Sequence, residues 1–262
     1  MTERRWRGDY VFLFENLILK DFKIRYRNMS LGILWSLINP LVMMTVLSFI
    51  FVRVFATRDG DAHNQPFPVF VLCGIVPFNF FVGALMSGAT SIVDNAGLIK
   101  RVPVPREVVP IAAVLSNCVH LLIQIALLLL LTVAFGRHPN RYWLWLPPIW
   151  ALYIAFVCGL ALGSSAINVY IRDTRYVLES FTTVLFWLVP IFYPFSIIPL
   201  KYKDIYQFNP VAALVLALRN ILMDGTAPPI SLILNLTIAA SFALGLGFLI
   251  FRRLKLRFYE HI

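Results

Sequence analysis

The chain has 262 residues, 60% of them hydrophobic and 14% charged, with a mean hydropathy of +0.78. Soluble domains carry about a quarter charged residues, so this composition excludes an ordinary water-soluble fold and points to an integral membrane protein. The net charge of +10 calls for no nucleic acid, since cations beside a bilayer are attracted to anionic headgroups by about 1 kcal/mol each.

Residues 10–27 set Val11, Phe14, Ile18 and Phe22 on one helical stripe and Glu15, Asn16, Lys20, Lys23 and Arg27 on another. That pattern predicts an amphipathic helix lying in the membrane interface, as an anchor or as a docking surface. The apolar run that follows is too long, and its polar lead-in too extended, for a cleaved signal peptide.

Charge-free stretches at 28–52, 62–93, 108–136, 142–171, 180–200 and 225–251 each reach the roughly 20 residues needed to cross about 30 Å of hydrocarbon. They predict an all-α polytopic protein with six spans, at about 31–52, 68–93, 110–135, 143–168, 177–193 and 229–250. Asn39-Pro40 lies in the first span, where the backbone bond lost to proline must be replaced by neighbouring helices or water. A seventh run, 205–218, is broken by Asn209-Pro210 and reads as re-entrant or interfacial within the segment 194–227. Small residues at four-residue spacing, Gly83 with Ser87, Ala84 with Gly88 and Gly159 with Gly163, suit close helix packing, although such matches are common in apolar sequence.

Six spans put both termini on one side. That side, with the loops near 94–107 and 172–179, then holds 16 of the 23 Lys and Arg. The positive-inside rule makes it the cytoplasmic side. Between the second and third spans, the loop 94–106 carries a cap candidate in Asp94 or Asn95, then Lys100 and Arg101, and stiffening prolines.

The span cores carry no Asp, Glu, Lys or Arg, and His120 is their one titratable group besides the cysteines. A membrane enzyme or proton-coupled pump normally keeps such groups at depth. No paired-carboxylate, HExxH or GxSxG pattern is present. Cys73, Cys118 and Cys158 sit in apolar runs and indicate neither disulfide nor metal site. There is no GxxxxGK[ST] phosphate loop, so any ATPase that drives transport must be another chain. Aromatics are abundant instead. Trp143, Trp145, Trp150 and Tyr193 fit an interfacial belt, whereas Phe78, Phe81, Phe181 and Phe186, with Tyr193, are candidates to line a conduit that passes sugar rings along their apolar C–H faces.

The order of these pieces resembles the membrane subunits of bacterial ABC-type polysaccharide exporters, in particular the O-antigen and teichoic acid branch. The likeness is carried by LKDFKIRYRNMSLGILWSLINPL at 19–41, AGLIKRVPVPREVVP at 96–110, INVYIRDTRYV at 167–177, PIFYPFSIIP at 190–199 and NPVAALVLALRN at 209–220. It implies one exporter membrane domain over 1–262, homodimeric, working in the inner membrane with two copies of a separate ATPase that holds the ATP and magnesium. It implies an interface helix at 10–27, a coupling helix within 94–106, and short re-entrant helices over 194–227. Lys20, Lys23, Arg27, Leu98, Lys100 and Arg101 become the ATPase-docking candidates, and a lipid-linked polysaccharide the substrate. An exporter of smaller lipids or drugs, or a non-transporting scaffold, would fit the residues alone.

Overall fold

The computed structural model describes residues 9–26, 34–54, 66–101, 104–255 and 258, and among these the regular structure is all helical, without a strand. Arg27 and the expected start of the first span at 31–33 lie outside the described residues. Five helices are long and apolar enough to cross a membrane. They make this a multi-pass membrane protein.

Helix α1, Tyr10–Tyr26, precedes α2, Trp35–Ser48, which runs on as a π-helical turn over Phe49–Val54. Helix α3, Phe67–Asp94, is the axis of the protomer: from Val69 to Phe81 nearly every side chain is buried. An apolar helix with no polar face is either enclosed by protein or bathed in lipid, and this stretch of α3 is enclosed. The short α4, Ala96–Arg101, leads into α5, Val108–Ala134, and then α6, Leu146–Tyr170, entered through a 3-10 turn at Arg141–Trp145.

The fifth span differs from expectation. Helix α7 is Thr174–Leu188, only 15 residues, or about 22 Å at 1.5 Å per residue, short of the hydrocarbon thickness. It stops because Pro190 pushes the residue before it out of the helical region, and Val189 is extended at φ −83°, ψ 133°. The hydroxyl of Tyr193 turns back to the last carbonyls of α7, 3.1 Å from Trp187 O and 3.3 Å from Leu188 O. It satisfies acceptors that a helix end leaves open.

Helices α8, Leu200–Phe208, and α9, Pro210–Leu222, follow, meeting at 96°. The Asn209-Pro210 pair makes that corner. Asn209 Oδ1 accepts from Val211 N at 3.1 Å, and proline occupies the first helical position, where its missing N–H costs nothing.

Helix α10, Ile230–Leu254, lies against α6. Gly159 of α6 meets the backbone of Ala243 and Leu244, and Gly247 of α10 meets the Gly159 carbonyl; a methyl at either would overlap main chain. The small-residue pair at Gly159 and Gly163 is thus used inside the protomer, where it brings two backbones into contact.

Candidate functional site

At the end of the bundle where α4 leads into α5, α1 lies along α5. Leu13, Phe14, Leu17 and Ile18 pack with Leu98, Val108 and Ala112, and Phe22 stacks near His120 with ring centroids 6.2 Å apart. The inward face is therefore centred on Leu17, and the predicted stripe needs correction at Val11, which is exposed. Leu13 and Leu17 offer long aliphatic side chains to the small Ala112, so the helix is rotated to bury them.

Asn95 precedes α4 and joins three elements. Its side chain accepts from Lys20 Nζ of α1 and donates to Ser91 O of α3 at 2.8 Å, while its carbonyl accepts from Leu98 N and Ile99 N at 3.0 Å. Ile99 is buried against the other cluster at this end, with Val169 and Phe251. The end of α10 is fastened by three polar contacts. Lys255 Nζ donates to Glu107 Oε1 at 2.7 Å, Arg106 donates to Lys255 O, and Tyr170 OH donates to Leu254 O at 2.7 Å. Of the docking candidates, Lys20 is engaged with Asn95, Leu98 faces inward, and Lys23, Lys100 and Arg101 are exposed.

The aromatic candidates separate into three groups. Phe78, Phe186 and Tyr193 belong to a chain of touching rings: Phe78 to Phe186 at 5.3 Å, Phe186 to Phe192 at 6.1 Å, and Phe192 to Tyr193 at 5.4 Å. Through Phe51 the chain continues to Phe67 and Phe70. Phe181 stands apart on the exposed face of α7 with Val177, Val184 and Leu188. Phe81 is 1% exposed and stacked on Phe156. A ring enclosed within one protomer offers no surface to a passing substrate, so Phe81 is a packing residue here.

Arg219 ends the aromatic chain. Its guanidinium lies over the Phe70 ring, 3.4 Å from the centroid, and donates to Ile191 O at 2.8 Å; it is 6% exposed. Gly74 lies directly under Ile191, so the extended segment after α7 is seated on α3 between a glycine and a buried cation. In the sequence Arg219 stands at the end of the charge-free run 205–218. Its sequence signal is a single arginine within an apolar helical pattern.

A cleft of about 470 Å³ opens between α2, α3 and α5. Its polar side chains are Ser36, Asn39, Asn79, Asn117, His120 and Gln124, and Trp35 and Phe78 flank them. Gln124 Nε2 donates to Ser36 O at 3.1 Å. Ser36 is four residues before Pro40, so its carbonyl is the one that proline deprives of a helical donor. The amide of a neighbouring span supplies it, as the sequence requires.

The ABC-2 type transporter family matches residues 13–223. The chain belongs to that family. This ABC-2 type protein is 30% identical to the O-antigen export system permease protein RfbA of Klebsiella pneumoniae over 253 residues, 95% of each chain. It is 28% identical to the protein of the same name from Myxococcus xanthus, over 84% of this chain and 83% of that one. Similarity to the polysialic acid transport protein KpsM of Escherichia coli is 27%, over 80% and 81%. The ABC-2 match begins within α1, at Leu13, and its last residue is Met223, just past α9 and Arg219.

Proposed function

We propose that the chain is the permease subunit of an ABC exporter that carries a lipid-linked polysaccharide, an O-antigen or similar glycan, outward across the cytoplasmic membrane. The observation that carries this reading is the end-to-end similarity to O-antigen export permeases, 95% of both chains. The chain acts as a homodimer with two copies of a separate ATPase, which binds the ATP and magnesium; this chain holds no cofactor of its own. Both termini are cytoplasmic, in keeping with the 16 of 23 Lys and Arg on that side.

In this reading α1 and α4 receive the ATPase motion. The Asn95 junction supports that role, since α1 and α3 bond to its side chain and α4 to its backbone carbonyl, and a push on either short helix moves the end of α3. Lys23, Lys100 and Arg101, which project outward, are the docking cations. The dimer is supported by the apolar faces that α2 and α7 leave open on one protomer, among them Val42, Val46 and Phe49, and Val177, Phe181 and Val184.

The test is co-purification with the candidate ATPase in nanodiscs, with the stoichiometry weighed by native mass spectrometry, alongside surface glycan in cells lacking the chain. A two-plus-two complex that loses its ATPase when residues 10–27 are deleted, and glycan restored by the intact gene, is the expected result. A lone chain with no ATPase bound, or glycan export unaffected by its loss, overturns the reading.

A further inference from the structure

The cleft between α2, α3 and α5 has a chemistry that neither lipid nor an ion would match. Its lining has no Asp, Glu, Lys or Arg, and its one histidine, His120, has its ring stacked near Phe22, so it holds no fixed charge to neutralise a phosphate or balance a metal cation. It does present amides, each with two donors and one acceptor. Among the described residues, the side chains of Asn39 and Asn79 have no hydrogen-bond partner. Unpaired amides facing an acyl chain are costly, so this cleft requires water or a hydroxyl-bearing occupant.

Beside those amides stand aromatic faces. Trp35 is half-exposed and Phe78 lies at the opposite wall, in edge contact with Phe186. Phe78 is also the first ring of the aromatic chain that runs to Tyr193. Neutral hydrogen-bonding groups set beside aromatic rings suit a molecule with hydroxyls around its edge and an apolar C–H face. The volume, about 470 Å³, falls in the range of small-molecule sites, about 300–1,000 Å³.

We infer that this cleft is a contact site for a neutral hexose unit of the exported glycan, with Asn39 and Asn79 bonding its hydroxyls and Trp35 and Phe78 facing the ring. The assignment rests on the export reading above and adds where, within one protomer, the sugar is held.

The assay uses the permease–ATPase complex in nanodiscs, photolabelled with maltohexaose carrying a diazirine and, separately, with a diazirine-bearing palmitoyl lipid. Peptide mapping should place the sugar label on the segments containing Trp35, Asn39 and Asn79, at least fivefold weaker in Asn39→Leu/Asn79→Leu, with the lipid label elsewhere. Export by that variant in cells should fall at least fivefold while complex yield and basal ATP hydrolysis stay level, and Asn79→Gln alone should keep most of both signals. Should the double variant fail to assemble, Asn79→Leu alone is read in the same way. Sugar label absent from these segments, undiminished in the variants, or replaced there by lipid label overturns the assignment; if wild-type cells still export glycan, the permease reading stands without it. If the wild-type chain neither binds an ATPase nor supports export, the reading itself has failed and the assignment falls with it.

Discussion

Helices α2 and α3 are both apolar spans with an interior proline, yet they are held in opposite ways. Around α3 the protein closes on all but the cleft side: the extended Ile191 segment over Gly74, the guanidinium of Arg219 over Phe70, and the hydroxyl of Tyr153 donating to Pro77 O at 3.1 Å. Helix α2 has one buried side chain, Pro40, and its outward stripe of Trp35, Val42, Val46 and Phe49 is open. What ties it to α5 is the Gln124 bond to Ser36 O. Hydrophobicity alone does not distinguish the two helices, because in lipid an apolar face is content either way; packing and the accounting of backbone bonds do.

The contrast can be broken most severely at Gly74. A Cβ there would lie 2.8 Å from Ile191 Cα, so Gly74→Val should destabilise the chain by about 3 kcal/mol or prevent its assembly, overpacking against main chain being worse than against a side chain. Thermal unfolding in detergent, followed by tryptophan fluorescence, measures it. An unshifted midpoint would mean that the Ile191 segment is not seated on α3.

Arg219→Ala comes next. It removes a charge-assisted bond to Ile191 O and the stack on Phe70, an expected loss of about 2–3 kcal/mol in the same unfolding assay. Arg219→Lys should recover less than half of it, because an ammonium has neither the plane nor the fork of a guanidinium.

A sharper test of α2 is a double-mutant cycle. Gln124→Leu leaves Ser36 O without a donor and should cost about 1–2 kcal/mol. Adding Pro40→Ala gives residue 40 an N–H for that same carbonyl, so the Gln124→Leu cost should shrink to a few tenths of a kcal/mol in that background, a coupling of about 1 kcal/mol. Independent effects would show that the bond to Ser36 O does not compensate the proline. The smallest change is expected for Val46→Ala, within about 0.5 kcal/mol for the isolated protomer; a larger loss in the assembled complex than in the monomer would locate this stripe in an interface.

The helices were legible from charge-free runs because burying a charge in hydrocarbon is costly, and the ends of α3, α5, α6 and α10 fall within a few residues of expectation. The bond missing at Pro40 and the corner at Asn209-Pro210 were also readable, since proline chemistry is local. The length of α7 was obscured because the run at 180–200 stays apolar past Pro190, and a proline within an apolar run can kink a span as well as end it; the extended Val189 shows that here it ends it. Which aromatics face outward was not legible: Phe78 and Phe81 are three residues apart on the same helix, yet one reaches the cleft and the other is closed in by Phe156. Rotation about a helix is set by neighbours far along the chain. The same holds for α1, where Leu17 and not Val11 is turned inward.

The glycine contact between α6 and α10 also bears on how such proteins can be recombined. Gly159 and Gly247 meet through main-chain atoms, so each helix serves as the mould for the other. A chimera that grafts the final span of a distant relative alone would place a foreign surface on that mould, whereas moving the two helices together carries the fit along with the donor sequence.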